Sequence, residues 1–362
     1  MALERHYLDQ LSLSLFDKEA TYDAGPASWA AAGACSMRDM DDSSAHEVFA
    51  DTVVTDTDNI TGKELISVEE IPRQGFTLTY TEPRCKPNTL AGLIALHMGT
   101  VAATQDALLV AYRHRITKSS SILLPSIGAQ TLRDGGVQRK YTGIKGESFT
   151  LSNNGPYFSF AAQLVGSGTR ATAADAFPVV ISESWLRWGD TKIYVKDTAG
   201  TPISTVLATP SQTAANLGGS EVNISTRVLN WSLTWTNNLA ADNAYRASSL
   251  LVRSNFHPTR RMGTITITLE VDSATEATEL NYYLNQTKLA MELNIDSGTI
   301  IAATGAFKFG AIIILPRVQL SAIPRGQNNQ LETLTLTGNI LDDGTNSELL
   351  AFIFDAQAAY LV

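Results

Sequence analysis

The chain has 362 residues, too many for one ordinary small domain and enough for two cores or one large β architecture. Hydrophobic residues make up 44% and charged residues only 17%, which excludes global disorder and leaves Thr, Ser, Asn and Gln to supply the polar surface. The net charge is −9 and no Lys/Arg run occurs, which argues against tight nucleic-acid binding, because neutralising phosphates takes clustered cations.

In chain order, residues 1–60 read as an irregular N-terminal arm. Met1 to His6 lacks a basic segment followed by an apolar one, so no secretory signal is expected, and Arg38 to Ser44 reads as a polar loop. From about residue 61 the pattern turns β-like. Phe76 to Tyr80 alternates as a half-buried strand does. Asn88 is placed to cap a helix through the apolar run Leu90 to Met98, which Gly99 stops. Strands follow at Tyr112 to Thr117, Tyr141 to Leu151 and Tyr157 to Val165. The last two form a long hairpin around Asn153-Asn154-Gly155-Pro156. Trp185 to Val195 closes this half.

Residues 197–222 are rich in Thr, Ser, Ala, Gly and Pro and read as a linker between residues 61–196 and residues 223–362. The second half has strands at Val228 to Thr236 and Gly263 to Val271, a polar connection between them, and a helix from about Ala274 to Asn285. Ser273 and Glu276 suggest a capping box for that helix. Strands then follow at Leu289 to Ile295, Phe307 to Leu320, Leu331 to Ile340 and Leu349 to Phe354. The two halves suggest a weak internal duplication. The helix falls before the hairpin in the first half and after it in the second.

Residues that could carry chemistry are scattered. His6, His46, His97, His114 and His257 have no partners at metal-ligand spacing, and no phosphate loop or nucleophile elbow occurs. The carboxylate pairs Asp41-Asp42, Glu69-Glu70 and Asp342-Asp343 suit strands or turns better than a cleft, and Cys35 and Cys85 read as reduced thiols. Trp231 and Trp235 share one strand face and suit packing, whereas Trp185 and Trp188 would face opposite sides of a strand. No catalytic residue, cofactor or metal site is expected, and no stretch approaches a membrane span.

Several phrases in a fixed order carry a likeness: Thr61 to Leu65, Leu90 to Gly99, Tyr112 to Thr117, Leu124 to Ser126, Tyr141 to Ile144 with Ser148 to Ser152, and Gly166 to Arg170. Trp235 to Leu239, Ala290 to Leu293, Leu315 to Val318 and Asn339 to Thr345 continue it. Together they resemble the tail tube (major tail) proteins of long non-contractile-tailed phages, over roughly residues 60–362. The resemblance implies a mainly β fold, with two tail-tube-like β-sandwich, barrel-forming domains and a short helix flanking each. It also implies a structural virion protein, not an enzyme, made in the host cytoplasm and stacked as rings into the tail tube. A trimeric ring is expected over a hexamer, given two tube-like halves per chain. The implied partners are other copies of the chain, the tape-measure protein, the tail terminator and distal tail proteins, and DNA that passes without sticking.

Alternation then nominates lumen-lining residues. Ile265, Ile267, Leu269 and Val271 share one face and belong in a core. The opposite face, Thr264, Thr266, Thr268 and Glu270, together with Ser148, Thr150 and Ser152, is expected to line the channel. Two rival readings stand beside this one: a β-sandwich receptor-binding or capsid-decorating module, and a β-rich hydrolase acting on cell-surface polymers.

Overall fold

The structure, a computed structural model, describes residues 10–29, 35–38, 45–49, 52–57, 66–107, 109–132, 138–172, 183–203, 210–241, 244–246, 251–272, 275–329 and 331–362. The fold is mainly β and antiparallel, as expected. The strands before the first helix are β1 (Gln10–Leu13), β2 (Cys35–Arg38), β3 (Ala45–Phe49), β4 (Thr52–Thr57), β5 (Ile66–Arg73) and β6 (Phe76–Glu82). Helix α1 (Pro87–Met98) precedes β7 (Gly99–Gln105), β8 (Tyr112–Lys118), β9 (Ile127–Leu132), β10 (Gln138–Asn154), β11 (Tyr157–Gly166), β12 (Arg170–Ala171), β13 (Thr191–Asp197), β14 (Val222–Asn223), β15 (Val228–Thr236) and β16 (Met262–Glu270). Helix α2 (Glu276–Leu284) then leads to β17 (Lys288–Ile300), β18 (Lys308–Ala322), β19 (Arg325–Asn328), β20 (Leu331–Ile340) and β21 (Leu350–Asp355).

One sheet runs β3-β6-β11-β10-β15-β16-β20-β19 and joins strands from both halves of the chain. Behind it, strands pair in the order β7-β8-β21-β18-β17-β13-β14. Strand β18 belongs to both layers: Gly310 to Ile314 pair with β21, and Val318 to Ala322 pair with β20. The apolar core lies between the layers, because the strands of the first sheet point Phe, Leu, Ile and Trp to one side only. A smaller sheet, β2-β1-β9-β10-β12, packs beside them.

The first sheet contains the same arrangement twice. The orders β3-β6-β11-β10 and β15-β16-β20-β19 match strand for strand, with antiparallel pairing throughout. Strand β6 leads into α1 and then the β7–β8 hairpin, as β16 leads into α2 and the β17–β18 hairpin. Pairs of the β10–β11 hairpin map onto the other run by one constant offset: Lys145–Val165 onto Gln319–Asn339, Ser148–Gln163 onto Ala322–Thr337, and Asn154–Tyr157 onto Asn328–Leu331. The offset carries a bulge with it, at Glu147 in one run and Ser321 in the other. The helix therefore precedes the hairpin both times. The expected mismatch came from matching β16 to the first hairpin, whereas its counterpart is β6.

Four local expectations differ. Residues 10–29 are not an irregular arm: β1 pairs with β2 and β9, and Leu11, Leu13 and Leu15 are fully buried. Asn88 lies inside the first turn of α1 and does not cap it; Pro87 starts the helix, and Asn88 Oδ1 accepts from its neighbour Thr89 N at 2.7 Å. Gly99 does end the helix, in the left-handed conformation at φ 93°, with its N–H on Ala95 O. Trp185 to Val195 is a strand only from Thr191; Trp188–Asp190 forms a 3-10 turn, so Trp185 and Trp188 are not on opposite faces of one strand. In α2, Glu276 is the first helical residue; the proposed cap Ser273, and Ala274, lie outside the described residues, as do Asp41, Asp42 and the loop beyond Arg38.

Candidate functional site: a hydroxyl-lined sheet face

The side of the first sheet that faces away from the core is built by period two. In β16, Gly263, Ile265, Ile267 and Leu269 are buried, and Thr264, Thr266, Thr268 and Glu270 alternate with them at the surface. The assignment is strongly specified: a slip of one residue would expose three large aliphatic side chains, each at a cost of about 1.5–3 kcal/mol. Val271, expected on the same core face, lies just past the strand and is half-buried. In β10, Phe149 and Leu151 face the core, and Ser148, Thr150 and Ser152 face outward.

Strand β15 brings the two groups together, because it pairs with β10 on one edge and β16 on the other. Rows of hydroxyls then cross the sheet. One runs Thr81, Ala161, Thr150, Thr234, Thr264 and Asn339; the next runs Ser159, Ser152, Ser232, Thr266 and Thr337. Neighbouring hydroxyls bond across strands: Thr150 to Thr234 at 3.1 Å, Ser152 to Ser159 at 3.1 Å and Thr268 to Thr335 at 3.3 Å. All seven nominated residues therefore lie on one face of one sheet. Glu270 sits at the end of its row, where Arg227 bonds its backbone carbonyl and not its carboxylate. The rest of the face comes from β6, β11, β15 and β20. The alternation Ser232-Leu233-Thr234-Trp235-Thr236 was a signal for the β15 portion, but adjacency to β10 was not written in it.

Other candidates resolve into structure. His97 is fully buried, with Nδ1 2.7 Å from Leu93 O and Nε2 3.1 Å from Ser148 O; burial lowers its pKa to about 4 and holds it neutral. His114, also fully buried, lies 3.1 Å from Asp355 Oδ1 and ties β8 to β21. Asp342 and Asp343 accept N–H bonds from Gly344, Thr345 and Asn346, which makes them a turn. Burial opposes ionisation of Asp343, but hydrogen bonds from Asn346 and Thr345 and the Arg317 charge together outweigh it and its pKa is lowered. Trp231 and Trp235 are buried in the core, and Trp235 Nε1 donates to Asn237 Oδ1 at 3.1 Å. Cys85 is a buried thiol whose Sγ donates to Lys86 O at 3.6 Å. Among the described residues no group of three or more His, Cys, Asp or Glu could hold a metal ion, and no helix is long and apolar enough to cross a membrane.

The geometry thus gives a broad sheet face of short hydroxyl side chains backed by an apolar core. A family model described as phage tail tube protein matches residues 30–340. The chain belongs to the phage tail tube protein family. No curated protein matches it. Membership makes it a structural protein of the virion tail that self-assembles into a tube, as members of a tail tube family do. The matched residues include every strand of the hydroxyl-lined sheet.

Proposed function

We propose that the chain polymerises as stacked rings of three copies, and that the hydroxyl-lined face of each copy forms the wall of the channel through which DNA reaches the host. The observation that supports this best is the single sheet in which one four-strand arrangement occurs twice. Three chains would then present six equivalent units. Closing such a sheet on itself also removes the exposed edges that otherwise invite aggregation. The two units correspond to the halves 61–196 and 223–362, joined by 197–222, except that the match of β3 with β15 draws β3 into the first unit. The tape-measure protein would fill the channel before DNA does, and the terminator and distal tail proteins would meet the two ends of the tube. Assembly would take place in the host cytoplasm.

The electrostatics favour passage over binding. Ser148, Thr150, Ser152, Thr264, Thr266 and Thr268 offer hydroxyls, and Glu270 adds a ring of carboxylates, so the wall presents no cation to phosphate. Reconstruction of assembled tubes by electron cryomicroscopy should show threefold rings with Glu270 on the inner wall. Rings of six whole chains would end the trimer reading; Glu270 on the outer wall would end the lumen assignment. Glu270→Lys should leave tubes intact and slow DNA ejection at low salt, with the delay shrinking as salt screens the charge.

A further inference from the structure

The duplicated arrangement contains a joint that is made once within the chain and, among the described residues, is not made a second time. Inside the chain the first unit ends on β10, which pairs with β15, the opening strand of the second unit, in the register Leu151–Leu233 and Ser152–Ser232. The strand equivalent to β10 is β19, and the strand equivalent to β15 is β3. Among the described residues, β19 pairs only with β20, and β3 only with β6. All four residues of β19 are exposed. Thr335 N donates to Pro324 O, so alternation turns the backbone groups of Arg325 and Gln327 to the outer edge, and the N–H that Pro324 lacks is not needed there.

From this we infer that β19 of one copy pairs antiparallel with β3 of a second copy, in the register inherited from the β10–β15 joint. This rests on the ring assembly proposed above and adds its interface. Residue offsets fix the pairs. Leu151 maps onto Arg325 and Ser152 onto Gly326 through the hairpin pairings. Leu233 maps onto Glu47 and Ser232 onto His46 through the pairings with β16 and β6. Arg325 therefore lies across from Glu47 of the second copy, and Gly326 across from His46. A Leu–Leu pair at the internal joint becomes an Arg–Glu pair at the external one. Opposite charges at directly paired positions favour this register and penalise shifted ones. Arg325 already forms an ion pair with Glu276 of α2, which places its guanidinium on the core side of the sheet, as the parity with buried Leu151 requires.

The test is covalent trapping in the full-length chain. Gly326→Cys with His46→Cys occupies a non-hydrogen-bonded pair, the geometry in which cross-strand β-carbons approach closely enough for a disulfide. A β-carbon at position 326 would sit 3.1 Å from the Thr333 hydroxyl, which can rotate away. Oxidised assemblies of this double variant should run on non-reducing gels as covalent dimers and trimers. Each single variant, and Gly326→Cys with Val48→Cys, should stay monomeric. Equal or greater cross-linking of the Val48 variant, or none from either pair while micrographs show intact rings, overturns the register and leaves the ring reading standing. Failure of the native chain to form any ring or tube overturns both. As a second measure, Glu47→Arg should raise the concentration needed for assembly about tenfold, and adding Arg325→Glu should restore it; no rescue by the double reversal counts against the pairing.

Discussion

Helices α1 and α2 follow equivalent strands, yet every residue of α1 is buried and only Glu279 of α2 is. The sequences explain part of this. Pro87 to Met98 is apolar nearly all round, the mark of a helix enclosed by protein, whereas Glu276 to Leu284 mixes carboxylates with Tyr and Leu. Cover explains the rest. The N-terminal segment lies over α1, with Leu15 so close to Gly92 that a β-carbon there would sit 2.7 Å from it, and Leu361 N–H closes on Leu15 O. Among the described residues nothing does the same for α2. Its Glu279 pairs with Arg227 at 2.8 Å beside a cavity of about 180 Å³ lined by Val195, Ile224, Leu269, Leu289 and Leu336. On its outer side Leu280 and Leu284 are 42% and 61% exposed. One scaffold position thus yields a core helix or a surface helix according to what the chain has left to lay over it.

Three perturbations sharpen that contrast. Leu15→Ala strips the cover from α1 and leaves a void against Gly92, so equilibrium denaturation should show a loss of about 2–5 kcal/mol. A loss below 1 kcal/mol would mean that the N-terminal segment is not part of the α1 core. The next effect depends on pH. Glu82 is buried just before α1, near the hydroxyls of Thr89 and Tyr80, and burial pushes its carboxyl up to about 8 from an ordinary 4.5. The folded state thus prefers the protonated acid. Stability is full below about pH 4.5 and falls as pH rises toward 8, where the folded group also ionises. Glu82→Gln should match the native chain near pH 4.5 and exceed it by an amount on the order of 2 kcal/mol at pH 8.5. Parallel pH profiles for the two proteins would contradict this. The smallest effect belongs to α2. Leu284→Ala should change the stability of the isolated subunit by no more than about 0.5 kcal/mol, because its side chain is mostly in water there. A loss as large as that of Leu15→Ala would erase the distinction between the helices.

Strands β10 and β16 of the hydroxyl-lined sheet were legible because each carries its own alternation: Thr264 to Glu270 against Ile265, Ile267 and Leu269, and Ser148 to Ser152 against Phe149 and Leu151. Local patterns do not encode which distant strand lies alongside, so the β10–β15 and β8–β21 pairings could not be read. The repeat was visible only as a suspicion for the same reason. Strand β18 opens on a continuous apolar run, Phe309 to Leu315, in the layer where it pairs with β21, and alternates only from Arg317 on, where it joins β20; β19, Arg325-Gly326-Gln327-Asn328, is fully exposed and shows no strand signal at all. The run Leu11-Ser12-Leu13-Ser14-Leu15 does alternate, but an irregular setting hid its meaning until its partner β9 and the groove at Gly92 were in view. Asn88 failed as a cap because Pro87 starts the helix one residue earlier.

The twin bulges at Glu147 and Ser321 have a geometric consequence. A bulge bends its strand and strengthens the local twist, so each is a fixed crease in an otherwise smooth surface. Because the creases fall at equivalent positions in the two units, the sheet is bent by the same device in both. A trimer would contain six such creases at even intervals, which is how a wall acquires a round cross-section instead of three flat panels. Changing one crease and not the other would replace the circle with a rounded triangle.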